Sequence, residues 1–186
     1  MATETPTPTL PTTGIWELDP YHSTVAYRVT HHAVGSYRDR FTEPEATFDA
    51  AAGKLKGSVK VDNMATFDML KEHLASDDYL AAAKHPTVTF ESSSIEADGN
   101  KLTVTGDMTL RGVTKQVTAT GTFAGPSRVA GWEGAPDTQH IGFDLKTTID
   151  RRDFGVTENN ELADGQLNLG WDVEIDFSLE FSSPIE

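Results

Sequence analysis

The run L-N-L-G-W-D-V-E-I-D-F-S-L-E-F at residues 167–181 decides the fold. Leu167, Leu169, Trp171, Val173, Ile175, Phe177, Leu179 and Phe181 share one parity, while Asp172, Glu174, Asp176 and Glu180 occupy the other. Successive side chains of a β-strand point to opposite faces, so this alternation specifies a long strand with one face in a core and one in water. A strand of this length and cleanness is a stave of an antiparallel barrel or sandwich.

Working back from it, the same alternation recurs. It is carried by Val25, Tyr27 and Val29, by Val88 and Phe90, and by Leu102, Val104, Met108 and Leu110. Val113, Val117, Ala119 and Phe123 continue it, followed by Phe143, Leu145 and Ile149. Turn-forming pairs separate these runs at Ala52-Gly53, Asp98-Gly99 and Arg111-Gly112, and a Gly/Pro-rich loop is expected from Gly125 to Pro136. One stretch departs from period two. Phe67 to Lys84 holds Met69, Leu70, His73, Leu74, Tyr79, Leu80 and three consecutive alanines, which predicts one or two short helices. Ser76-Asp77-Asp78 would cap the second, and Pro86 would stop it. The fold class expected is all-β: an antiparallel barrel of about eight strands, closed at one end by the helical segment.

A chain of 186 residues suits a single domain. Residues 1–13, rich in Thr and Pro, predict a flexible tail, and the barrel domain is expected over residues 14–186. Fifteen Lys and Arg against 29 Asp and Glu give a net charge of −14, which repels phosphate backbones and anionic surfaces and argues against a nucleic-acid partner. The absence of cysteine excludes disulfides, thiolate catalysis and thiolate-held metals. No apolar run approaches the ~18–20 residues of a membrane-spanning helix, so stable membrane insertion is not expected. The N-terminal segment has neither the charged nor the apolar part of a secretory signal, which predicts a cytoplasmic location.

Four ordered phrases add a resemblance. The first is Trp16, Leu18, Asp19 and Pro20 followed by His22-Ser23, Val25, Tyr27, Val29 and His31, with Phe41 after it. The second runs through His73-Leu74, Asp78-Tyr79-Leu80 and His85-Pro86-Thr87-Val88-Thr89-Phe90-Glu91-Ser92. The third is Val104 to Lys115, and the last is Arg151, Asp153, Phe154 and Gly155 before the terminal strand. Together they resemble the YceI-like proteins over residues 15–182, with departures at Asp39-Arg40, Leu70-Lys71 and Ala75. The resemblance implies a lipocalin-like barrel whose partner is a polyisoprenoid or another long-chain lipid such as an isoprenoid quinone or a long acyl chain. Alternation alone leaves a filled core and a lined cavity both open; the resemblance implies the lined cavity.

The cavity wall is then expected from Val25, Tyr27, Val29, His31, Phe90, Met108, Leu110, Val117, Phe143, Leu145, Ile149, Arg151, Phe154, Trp171, Ile175 and Phe177. Arg151 continues the apolar parity of Ile149, and Lys115 that of Val113 and Val117, so either could meet a phosphate or quinone-like head group at the rim, or snorkel to solvent. Ser23 shares the parity of Val25 and His31. His31 and the adjacent His32 are expected on opposite faces, and no histidine pair has the i, i+4 spacing of a helical zinc site, so no metal is assigned. No nucleophile elbow, phosphate loop or dinucleotide fingerprint occurs, and a Ser23–His31–Asp78 set is a weak alternative, so neither catalytic residues nor a cofactor is assigned. The function expected is carriage or sequestration of a long-chain amphiphile by a non-enzyme. An enzyme acting on such a lipid and a filled-core interaction or stress-response module remain the rivals, and a homodimer is compatible with each.

Overall fold

The terminal strand organises the molecule. In the computed structural model, which describes residues 8–185, it forms β10 (Leu169–Pro184). One edge pairs antiparallel with β9 (Thr138–Asp150) from Asp172↔Asp150 to Pro184↔Thr138. The other edge is shared. Its first half pairs with β2 (Thr24–His31) as far as Ser178↔Thr24, and its end pairs with β1 (Ile15–Leu18) at Leu18↔Phe181 and Glu17↔Ser182. The remaining strands are β3 (Gly35–Phe41), β4 (Glu45–Asp49), β5 (Lys54–Lys60), β6 (Thr87–Asp98), β7 (Lys101–Leu110) and β8 (Val113–Val129). Pairing in the order β1-β4-β5-β6-β7-β8-β9-β10 and back to β1 closes an eight-stranded barrel.

The β2–β3 hairpin extends this ring along β10, above β1 and β4. Between β3 and β5 the wall is made differently. A 3₁₀ turn at Val61–Asn63 and Met64 fill the space, joined to β3 by the isolated Phe41↔Met64 bridge and the Thr42 N–H to Asn63 C=O and Ala65 N–H to Arg40 C=O bonds. Val61 and Met64 are buried there with Ala82 against Tyr27, Phe41 and Leu80.

The helical segment forms one helix, α1 (Asp68–Ala75), and not a second. After it, the Leu80, Ala81 and Ala82 N–H groups bond to the Leu74, Ser76 and Ala75 carbonyls, and Ala81 turns into the left-handed region. Burying Ala81 and Ala82 this way overrides the helix propensity of the alanines. Two further boundaries differ from expectation. Leu167 makes only a bridge to Glu161, so β10 begins at Leu169. β8 continues through the Gly/Pro stretch to Val129, with a register shift between Ala124 and Ser127. Of the expected tail, residues 1–7 lie outside the described residues, while Leu10 packs partly buried against the core. No helix among the described residues is long and apolar enough to cross a membrane.

The interior has two parts. At the β1 end, Trp16, Phe48, Leu102, Phe123, Ile141, Phe143 and Phe181 fill the barrel. Phe143 lies 5.5 Å from Phe48 and 5.3 Å from Phe181, ring centre to ring centre. At the α1 end the interior is hollow.

A half-hollow barrel as the candidate site

A cavity of about 750 Å³ occupies the hollow end, within the ~300–1,000 Å³ of small-molecule sites. Its floor is Leu55, Val104, Ala119, Leu145 and Leu179, which lie directly above the packed aromatic cluster. Its walls carry Val25, Tyr27 and Val29 from β2, Val88 and Phe90 from β6, Met108 and Leu110 from β7, and Val117 from β8. Thr147 and Ile149 of β9 and Val173, Ile175 and Phe177 of β10 complete them.

Small residues hollow the wall. In the register Ala46↔Gly57↔Phe90, the glycine of β5 stands between an alanine and a ring, and Ala46, Gly57 and Phe90 all line the cavity. Gly106 is opposite Val117, and a Cβ on it would run into the Glu91 carbonyl oxygen and come 2.6 Å from the Phe90 ring, so the close approach of β6 and the Phe90 ring here requires glycine. The helix covers one side with Leu70, His73 and Leu74, an i, i+3, i+4 face.

Polar groups gather at the mouth. His31 and His32 stack with centroids 3.8 Å apart, and both line the opening, contrary to the opposite faces expected of adjacent strand residues. The reason is local: β2 ends at His31, and His32 enters the turn with φ 53°. Tyr79 packs on His73 at 4.7 Å. Deeper on the β3 side, the Tyr37 hydroxyl donates to Asp39 Oδ2 at 2.9 Å, with the Tyr27 hydroxyl 3.5 Å from the same oxygen. Burial pushes the Tyr27 phenol far above its ordinary value, so it is a neutral hydroxyl at every physiological pH.

Arg151 is 4% exposed and lies in a 3₁₀ turn (Arg151–Phe154) that follows β9. Its Nε donates to the Gly170 carbonyl at 2.8 Å, and its Nη1 to those of Val156 and Glu158, each at 2.9 Å. The guanidinium sits 4.4 Å from the centre of the Trp171 ring, a cation–π contact. Burial lowers its pKa below the usual arginine value. The guanidinium thus ties the loop after the turn to the start of β10, and also lines the cavity.

Most of the residues expected at the wall are there: Val25, Tyr27, Val29, His31, Phe90, Met108, Leu110, Val117, Leu145, Ile149, Arg151, Ile175 and Phe177. Three lie elsewhere. Phe143 belongs to the filled end, below the floor. Phe154 is 1% exposed among Met108, Leu110, Ile149 and Ile175, behind the wall. Trp171 lies in a register irregularity between Leu169 and Val173, which turns it onto Arg151 and Arg152. Lys115 is exposed and absent from the lining.

Ser23 is buried and bonds to the Glu180 backbone, accepting its N–H at 2.9 Å. It stands eight residues from His31 along β2, a separation of ~26 Å in extended chain. Ser23, His31 and Asp78 therefore form no triad. Among the described residues no cluster of three or more His, Asp or Glu side chains is arranged to hold a metal ion.

Sequence reasoning passed over several wall residues. Val104, Val173 and Leu179 share the parity of the expected wall residues, and the Leu70–His73–Leu74 spacing is itself a signal. Asn168, in the loop before β10, had no such signal.

Comparison with known proteins agrees with this architecture. The YceI-like domain family matches residues 16–181. Protein YceI of Escherichia coli O157:H7 is 31% identical over 159 residues, covering 82% of this chain and 81% of its own. The crystal structure of Burkholderia cenocepacia BcnA superposes with a TM-score of 0.69 at 27% identity, covering 88% of this chain and 98% of that one. A polyisoprenoid binding domain from Saccharophagus degradans, implicated in plant cell wall breakdown, shares the fold with a TM-score of 0.67 at 15% identity, covering 91% and 98%.

Proposed function

The chain belongs to the YceI-like family, and on that premise we propose that it binds and carries, or sequesters, a long-chain amphiphile in the hollow half of its barrel. One observation carries the reading: a predominantly apolar cavity of about 750 Å³ with a closed apolar floor and with His31, His32 and Arg151 away from that floor. That gradient suits a molecule with a long apolar chain directed at Leu145 and Leu179 and a polar head near Arg151 and His31.

Energetics select for length. Burying each methylene contributes ~0.8 kcal/mol, so about ten contribute ~8 kcal/mol. Association costs ~4–15 kcal/mol, so a short metabolite gains too little. A polyisoprenoid, an isoprenoid quinone or a long acyl chain fits, and the polyisoprenoid-binding neighbour from Saccharophagus degradans supports the first of these. Arg151, with no carboxylate among its hydrogen-bond partners, supports a head that accepts hydrogen bonds.

The test is mass spectrometry of an organic extract from protein purified without detergent. One long-chain species stoichiometric with protein is the expected result. An empty extract, together with no retention of added prenyl or acyl lipids, would overturn the reading.

A further inference from the structure

Three large apolar side chains stand exposed around the hollow end of the barrel: Val34 at 92%, Phe67 at 74% and Met69 at 79%. Val34 is in the β2–β3 turn, two residues from His32, and lines the cavity mouth. Phe67 stands at the start of α1, its carbonyl accepting the Leu70 N–H, and Met69 is in the first turn. Helix residues four apart share a face, so Met69 borders His73 as Phe67 borders Leu70, and both of those line the cavity. The apolar surface of the cavity thus continues past its opening onto the outside of α1.

Folding does not require that continuation. Leu74 already packs α1 against Val61, Met64 and Ala82, whereas Phe67 and Met69 belong to none of the buried clusters. Apolar surface left in water beside a ligand opening marks a contact site.

What covers this surface must leave the cavity in use. A protein seated there would bury ~800 Å² on each partner and shut the mouth. A bilayer covers the same side chains and is also where a water-insoluble cargo comes from and goes to. Charge selects the kind of bilayer. The Ala65 N–H to Arg40 C=O bond runs β3 alongside the approach to α1, and there Arg38, Arg40 and Lys71 are matched by Asp39, Asp68 and Glu72. With −14 on the whole chain, no basic footprint draws this face to anionic lipid.

Resting on the amphiphile-binding reading above, we infer that Val34, Phe67 and Met69 dip into the surface of a zwitterionic bilayer and hold the cavity mouth against it while the amphiphile passes. The contact is peripheral and brief, and it lets the apolar chain move between cavity and bilayer without crossing water.

The experiment loads the protein with an anthroyloxy-labelled stearic acid or a fluorescently labelled geranylgeraniol, whichever it retains, and follows transfer to phosphatidylcholine vesicles that carry an energy acceptor. Native transfer is expected to speed up as vesicle concentration rises, because collision limits it. In the double variant Phe67→Ser, Met69→Ser the rate should fall by roughly ten-fold and lose that dependence, while retention of the probe in solution is unchanged. Phosphatidylglycerol added to the vesicles at low salt should slow native transfer. A probe that is retained but leaves the native protein at a rate independent of vesicle concentration would overturn this inference alone. So would an undiminished rate in the double variant, or faster transfer to the anionic vesicles. A native dimer that the double variant makes monomeric in sedimentation would give the face to a second copy of the chain and also overturn it. If neither probe is retained, the amphiphile-binding reading fails and this inference fails with it.

Discussion

The two ends of this barrel use one sheet for opposite purposes. At the β1 end, Phe48, Phe143 and Phe181 meet in edge and tilted contacts and close the interior. A few residues along the same strands, Leu145, Ile149, Ile175 and Phe177 keep the inward parity and leave an empty space. Inward alternation is identical in both. The difference lies in the volume those inward residues supply, with the rings of Trp16, Phe48, Phe123, Phe143 and Phe181 at the filled end but small residues such as Gly57 and Thr147 in the wall of the hollow end. Parity therefore tells which side chains point inward, and the summed volume of facing residues tells whether they touch.

Matched truncations put the contrast at most risk. Phe143→Ala should lose ~3–5 kcal/mol in denaturant unfolding, as for a packed core phenylalanine. Phe177→Ala removes the same atoms from a wall that already faces a void, and should lose about half as much or less. Equal losses would mean that the hollow end is packed as tightly as the filled one.

A filling substitution sharpens the same comparison with a smaller effect. Val117→Phe adds volume where β8 faces the cavity, and should change stability by less than ~1.5 kcal/mol because it displaces no packed atoms. It should nevertheless shorten the longest acyl or prenyl chain retained, read from affinity against chain length. A large stability loss without a change in chain preference would contradict the placement of Val117.

The smallest effect concerns the turn at the hollow end. Asp150 caps that turn by accepting the Arg152 N–H at 2.9 Å, and its carboxylate also pairs with the Arg152 side chain, which holds its pKa down to about 2. The folded pKa lies below the unfolded carboxylate value, ~3.9. The contribution is therefore complete above that value and lost as pH falls through about 2. Melting temperatures of native protein and Asp150→Asn should differ slightly at neutral pH and converge in strong acid. A gap that widens on acidification would reverse the assignment.

The long alternating runs made the ring legible, because a strand with one buried face must write its period into the sequence. β3 wrote a weaker message: its inward residues Tyr37, Asp39 and Phe41 include a carboxylate, with Arg38 and Arg40 between them. The site was legible where parity was enough, as for Val25, Met108 and Ile175. It was not where depth mattered, since Phe143 and Leu145 share a parity yet Leu145 forms the floor and Phe143 lies beneath it. Nor did alternation reach Trp171, which a register irregularity displaces, or Asn168, which a loop places.

The wall between β3 and the Val61–Ala65 segment has a mechanical meaning. The strand seams of the barrel are ladders, from two adjacent register pairs between β1 and β10 to thirteen between β9 and β10. This one is held by a single bridge and the bonds at Thr42 and Ala65. A vessel built this way should not dilate evenly; it has a grain, and this line is one along which it can part without breaking a ladder. On the amphiphile-binding reading, a chain too long to turn within the cavity would leave sideways, beside Phe41, and amide protons on that edge of β3 should then trade early with solvent.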